Sequence, residues 1–239
     1  MEDSLTTVYR STALLLLIAG SLMSQGPINT IPSWDGIRFV TGFGGGASNT
    51  ATYGQTITVA PGSAVVSSFG FEMGHCNATV TFRGEIYAWD GAKATGPSLF
   101  EGPQTTQGSS DTFQLVTFNT GSLTLAPGAY VLFATTSWDE VSASQCEFGS
   151  LSLVGSAAAY PAGNFVSLSN FSDTSQWTSV AWVPQPFDLA FRVDMTPAPT
   201  PTPNVVTSAP AASPATLLLG FAGVIALGLL GLSRLRTAR

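Results

Sequence analysis

Apolar and polar side chains alternate over short runs through most of the chain, and turn residues separate the runs. In Thr79–Gly91 (TVTFRGEIYAWDG), Val80, Phe82, Ile86 and Ala88 fall on one side, with Thr81, Arg83, Glu85 and Tyr87 on the other. Pro186–Met195 (PFDLAFRVDM) repeats the pattern, setting Phe187, Leu189, Phe191 and Val193 against Asp188, Arg192 and Asp194. A period of two bounded by turn formers predicts half-buried strands. Further strands are predicted at Thr56–Val59, Ala64–Glu72, Phe113–Phe118, Tyr130–Thr135 and Phe165–Leu168. Turn signals lie at Pro61-Gly62, Asp90-Gly91, Asn119–Gly121 and Pro127-Gly128. With no helical period in this region, the expected fold is all-β, a single sandwich or jelly-roll-like domain over 29–196.

Both ends break the alternation. Arg10 precedes the apolar run TALLLLIAG, and small residues follow it to Ser24, so 1–24 has the layout of a signal peptide. At the other end, Ala215–Leu232 is uncharged and almost wholly apolar, and Arg234, Arg236 and Arg239 follow. A helix of that length covers roughly 27 Å, about one bilayer core. Residues 215–233 are therefore expected to form a transmembrane helix, with the basic end 234–239 in the cytoplasm and the body outside. The Pro-rich stretch 197–214 reads as a stalk. Extended, it would reach roughly 60 Å.

The Pro-rich approach, the Gly- and Leu-rich span and the terminal arginines resemble the sorting region of PEP-CTERM proteins, exported proteins of Gram-negative bacteria whose tails are processed by exosortases. Here Pro210-Ala211-Ala212-Ser213-Pro214 stands where that family carries Pro-Glu-Pro, which leaves a plain anchor as the alternative to processing. Phe69–Gly74, Ile86–Gly102, Val116–Ser137, Tyr160–Val166 and Asp188–Phe191 also resemble, in order, the ectodomain of a group of these proteins. The resemblance implies an exosortase-type enzyme as a partner and brings no catalytic residues with it.

Charge narrows the partners. The body carries four basic residues (Arg38, Arg83, Lys93, Arg192) against twelve acidic ones. That balance excludes nucleic-acid binding by phosphate neutralisation. Cys76 and Cys146 both lie in the body, and export favours a disulfide between them.

Candidate chemistry is sparse, and no cofactor or metal is expected. Asp90-Gly91 invites a calcium or catalytic reading but fits a turn better. Glu72, Glu85, Asp90, Glu101, Asp139 and Glu140 are available for paired-carboxylate chemistry, although spacing does not pair them. His75 is the lone histidine and has neither a nucleophile elbow nor a zinc-ligand spacing around it. GFGGGASNT (Gly42–Thr50) lacks the ending of a phosphate loop and reads as a flexible segment. Asn77 and Asn170 match the glycosylation pattern by coincidence. Tyr87, Trp89, Asp90, Trp138 and Asp139 are the candidate ligand-facing group, with aromatic faces suited to sugar rings beside hydrogen-bonding carboxylates.

The expected function is that of an exported surface or matrix protein with a structural or adhesive role and no enzymatic activity. A carbohydrate-binding module acting on extracellular polysaccharide is the first alternative, and a secreted glycoside-active enzyme the second.

Overall fold

The computed structural model describes residues 25–46, 50–139, 143–151 and 159–199. The signal segment, the stalk beyond Pro199, the apolar span and the basic end lie outside them, as does Glu140. Among the described residues no helix is long and apolar enough to cross a membrane.

The described residues of the body form two antiparallel sheets of seven strands each. The first contains β1 (Ile28–Asn29), β2 (Phe39–Gly44), β4 (Ala64–Gly74), β8 (Gln114–Leu125), β10 (Gln145–Leu151), β13 (Asp188–Leu189) and β14 (Phe191–Pro197). The second contains β3 (Thr52–Val59), β5 (Val80–Trp89), β6 (Ala94–Glu101), β7 (Thr105–Gln107), β9 (Gly128–Thr135), β11 (Phe165–Leu168) and β12 (Val183–Pro184). A four-residue helix, α1 (Gln176–Ser179), lies between β11 and β12.

The sheets pack as a β-sandwich because the apolar side of each alternating run points inward. Val80, Phe82 and Ile86 of β5 are fully buried, as are Leu189, Phe191 and Val193 at the end of the chain's strand run. Ring contacts cross between the layers, with Phe43 against Phe82 at 5.8 Å and Tyr53 against Phe148 at 5.4 Å. Edge-to-face rings of this kind add attraction beyond the area they bury.

Asn119–Gly121 does not join two strands; it is a bulge inside β8. The register of β8 on β4 shifts between Val66 and Ser68, and Gly121 takes φ +75°. On its other side β4 shifts against β14, where Ser67 is the one extra residue between the pairs Val66–Met195 and Ser68–Asp194. One added residue flips the inward parity, so β4 buries Ala64 and Val66 before Ser67 and Phe69, Phe71 and Met73 after it. Gly42–Gly44, placed in a flexible segment by composition, belongs to β2 and pairs with β10.

Asp188, expected on the polar side of its strand, is buried. Its Oδ1 accepts from Gln55 Nε2 (2.9 Å) and its Oδ2 from the Tyr160 backbone N–H (2.8 Å). Gln55 Oε1 in turn accepts from the Leu189 N–H at 3.0 Å, so one side-chain pair ties the second sheet to the first. Burial raises the Asp188 carboxyl above its ordinary range.

Cys76 and Cys146 form a buried disulfide that links the end of β4 to β10. A bridge of this kind is maintained in oxidising compartments.

Candidate functional site

The outward side of β5 is the informative face. Arg83, Glu85, Tyr87 and Trp89 alternate along it, and the strand runs between β9 and β6. This face is not simply solvated. The segment carrying α1 folds over it, so Trp177 and Trp182 form a second apolar core with Val131, Phe133, Val166 and Leu168. Tyr87 and Trp89 pack against its rim.

A polar seam lies under that cover. Asn170 is fully buried, accepting from Thr52 Oγ1 at 2.9 Å and donating to Ser137 Oγ at 2.9 Å. It is therefore closed to glycosylation in the folded chain. Trp177 Nε1–H also reaches Thr52 Oγ1, at 3.3 Å. Among the described residues no buried side-chain polar atom lacks a partner.

Glu85 sits at the edge of this cover and is 1% exposed. Its register partners are Phe133 on β9 and Glu101 on β6. Ser98 Oγ donates to Oε2 at 2.8 Å, and Trp138 Nε1–H donates to Oε1 at 3.3 Å. Ser98 reaches this point because β6 bulges between the pairs formed with Ile86 and Ala88, helped by Gly96 at φ +72°. Burial pushes the Glu85 carboxyl up to about 7, the Glu101 charge adding to the shift and the Ser98, Trp138 and Arg83 contacts opposing it.

Arg83 organises the neighbouring carboxylates. Its Nε and Nη2 hold Asp139 at 2.7 and 3.0 Å, and its Nη1 holds Glu101 at 2.6 Å. Gln104 Nε2 adds a bond to Asp139 Oδ1 at 3.2 Å. These contacts keep the guanidinium firmly protonated, Asp139 contributing most.

Trp138 is 49% exposed, in the turn after β9, where the Asp139 N–H closes onto the Thr136 carbonyl at 3.1 Å. Its ring meets Trp177 edge-on, 5.8 Å between centroids at 71°.

Of the candidate ligand-facing residues, Trp138 and Asp139 thus converge with Arg83, Glu85, Glu101 and Gln104. Tyr87 contacts Trp177 at 5.9 Å and packs against the second core, away from the carboxylate cluster. Trp89 packs on Trp182 at 5.7 Å. Asp90 lies at the far end of β5 and forms a turn, accepting from the Ala92 and Lys93 N–H groups at 2.8 and 2.9 Å, with Gly91 at φ +102°. Those bonds hold its carboxyl below the usual range.

Glu72 lies on the other sheet, paired in register with Leu115 of β8. His75 follows β4 beside the disulfide, within 2.7 Å of Glu147 and against Phe113. Among the described residues no group of His, Cys, Asp or Glu is arranged to hold a metal ion.

Glu85, Glu101 and Asp139 stand out in the sequence as carboxylates without a pairing, while nothing in local pattern marks Ser98 or Gln104. The available signal was Arg83 itself, one of four basic residues in the body and placed on the polar side of a strongly alternating strand. Comparison with protein-family models and with curated proteins finds no match to the chain.

Proposed function

We propose that this protein is exported and held at the cell surface or in the extracellular matrix, where it serves a structural or adhesive role rather than an enzymatic one. The observation that carries this reading is the state of the clustered carboxylates. Arg83 clamps Asp139 and Glu101, and Glu85 is sealed beneath Trp138. Groups spent on each other hold a surface in shape; they are poorly placed to shuttle protons to a substrate. The buried disulfide agrees with an oxidising location.

In this reading residues 1–24 direct export, 197–214 form the stalk and 215–233 anchor the body outside the membrane. The likeness of the tail to PEP-CTERM sorting regions points to an exosortase-type enzyme as a partner, whose cut near Pro210–Pro214 would free the body from this anchor into the matrix; without that cut the tail is a plain anchor.

The test is intact mass of the protein from its native host, measured separately on membrane, medium and cytosol. The expected species lacks the N-terminal segment, carries the disulfide, and is found in membrane or matrix. A cytosolic species beginning at Met1 with free thiols overturns the reading.

One observation favours a glycoside-active enzyme as second reading. Glu85, with a carboxyl that titrates near 7, stands opposite Glu101 on the next strand. A pair of carboxyl groups, one of them kept protonated by burial, is what acid-assisted glycoside cleavage uses. Release of reducing sugar from polysaccharide, abolished by Glu85→Gln, would establish it; none is expected.

A further inference from the structure

We propose that Trp138 is a stacking platform for an uncharged pyranose unit of a polysaccharide, with the Glu101 carboxylate and the Gln104 side-chain carbonyl accepting hydrogen bonds from its hydroxyl groups. The proposal rests on the adhesive reading above and names the ligand class that the adhesive face takes.

The first argument is immobilisation. An exposed tryptophan on a turn is normally free to change rotamer, yet Trp138 is held from three directions. Its indole N–H is tied to Glu85 Oε1 at 3.3 Å. Its ring abuts Trp177, itself buried and in contact with Phe133 at 5.2 Å. The next residue, Asp139, is clamped by Arg83 and Gln104. A large ring fixed with its surface in water is prepared for a flat partner, because the ordering that a ligand would otherwise impose is already in place. Glu85 is a positioning residue in this arrangement: buried at the N–H edge of the ring, it orients the indole without touching the ligand.

The second argument is the rim. Trp138, Glu85, Glu101, Arg83 and Asp139 form a closed circuit, through the Trp138–Glu85 bond, the cross-strand pair Glu85–Glu101, the two Arg83 ion pairs and the peptide link from Asp139 back to Trp138. Two acceptors on it remain unused among the described residues. They are the second oxygen of Glu101, whose side chain is 46% exposed, and the side-chain carbonyl of exposed Gln104. An aromatic face beside planar carboxylate and amide groups matches a pyranose, which presents C–H bonds on one face and hydroxyls around its edge.

Charge selects within the class. Arg83 is shared by two carboxylates, so the rim holds an excess of negative charge, as does the chain with its net −6. A uronate or sulfated unit would meet repulsion here, and so would a nucleic acid. A cationic partner side chain would have to enter beside Arg83.

The test uses the full-length protein titrated with cellohexaose, maltohexaose and chitohexaose, read by calorimetry and by tryptophan emission. Binding to at least one hexaose is expected. Trp138→Ala should weaken it at least tenfold, Trp138→Tyr should retain most of it, and Glu101→Gln should weaken it severalfold. Far-UV circular dichroism of each variant checks the fold, and the Tyr and Gln variants carry the test should the Ala variant misfold.

Absence of binding to all three hexaoses overturns the proposal, as does equal affinity in correctly folded Trp138→Ala. Trp138-dependent binding of poly-L-lysine in place of the sugars also overturns it, and would identify a cationic protein partner. A cytosolic location with hexaose binding intact would defeat the surface reading and leave the platform standing, so the two failures are separable.

Discussion

Arg83 and Asp139, 56 positions apart, meet in a two-point ion pair at 2.7 and 3.0 Å, with 7% of the Asp139 side chain exposed. Removing the guanidinium strands a largely buried carboxylate whose one other side-chain partner among the described residues is Gln104. Arg83→Ala is expected to lower stability by about 1–3 kcal/mol. Arg83→Lys should recover little of the loss, since an ammonium lacks the planar fork. Urea denaturation of both single variants and of the double variant with Asp139→Asn checks this. Additive losses would mean the pair contributes nothing.

Glu85 makes stability depend on pH with a defined sign. Its carboxyl titrates at about 7 in the folded chain, against an ordinary value of 4.5. Between those values the folded state holds the proton more tightly than the unfolded state. The stabilisation is therefore complete below about 4.5 and is lost as pH rises towards 7. The difference is on the order of 3 kcal/mol. Burial shifts Glu72 and Asp188 in the same direction. Thermal midpoints should fall as pH rises across this window, and the slope should flatten in Glu85→Gln. An unchanged slope in that variant would show that Glu85 is not sealed.

Reduction of the disulfide should be costly. Cys76 and Cys146 close a separation of 70 residues. In the chain-entropy model such a link restricts the unfolded state by about 4 kcal/mol. The double Cys→Ser variant is expected to show a denaturation midpoint lowered accordingly, matching wild type in reductant. A midpoint in oxidised wild type equal to that in reductant would contradict the prediction.

Gly84 is required by packing rather than by its backbone angle. It sits on β5 where any Cβ would run into the buried ring of Phe118 from β8. Gly84→Ala should destabilise by about 1–3 kcal/mol through overpacking. Combining it with Phe118→Leu should give a loss smaller than the sum of the two single losses. Strict additivity would place the strain elsewhere.

The alternation on β5 and β14 was legible because a strand half-buried against one core must repeat every two residues, whereas β9, buried on both sides from Tyr130 to Thr135, shows as a short apolar run after the Pro127-Gly128 turn. Phe165–Leu168 was bounded correctly, and the inward side of β5 was named residue by residue. The short strands β1, β2, β7 and β12 were not expected, nor, among the longer ones, were β6 and β10. The first carries Gly-Pro and a bulge, and the second, QCEFGSL, alternates poorly because both its sides are largely covered. Asn119–Gly121 has the composition of a turn, but its neighbours pair with β4 on both sides, so the chain bulges and continues.

The sequence by itself determined a β-rich body, most of the inward-facing residues of its alternating strands and an acidic balance of charge, since each is a property of local pattern or of composition. Tertiary structure alone decided that the outward side of β5 would be roofed by Trp177 and Trp182, that Asp188 would cross to Gln55, and that Arg83 would gather Glu101 and Asp139 while Trp138 closed over Glu85. Alternation reports which side of its strand a residue occupies. What lies opposite depends on pairings between distant segments, on register and on bulges, and those are set by the packing of the whole sandwich.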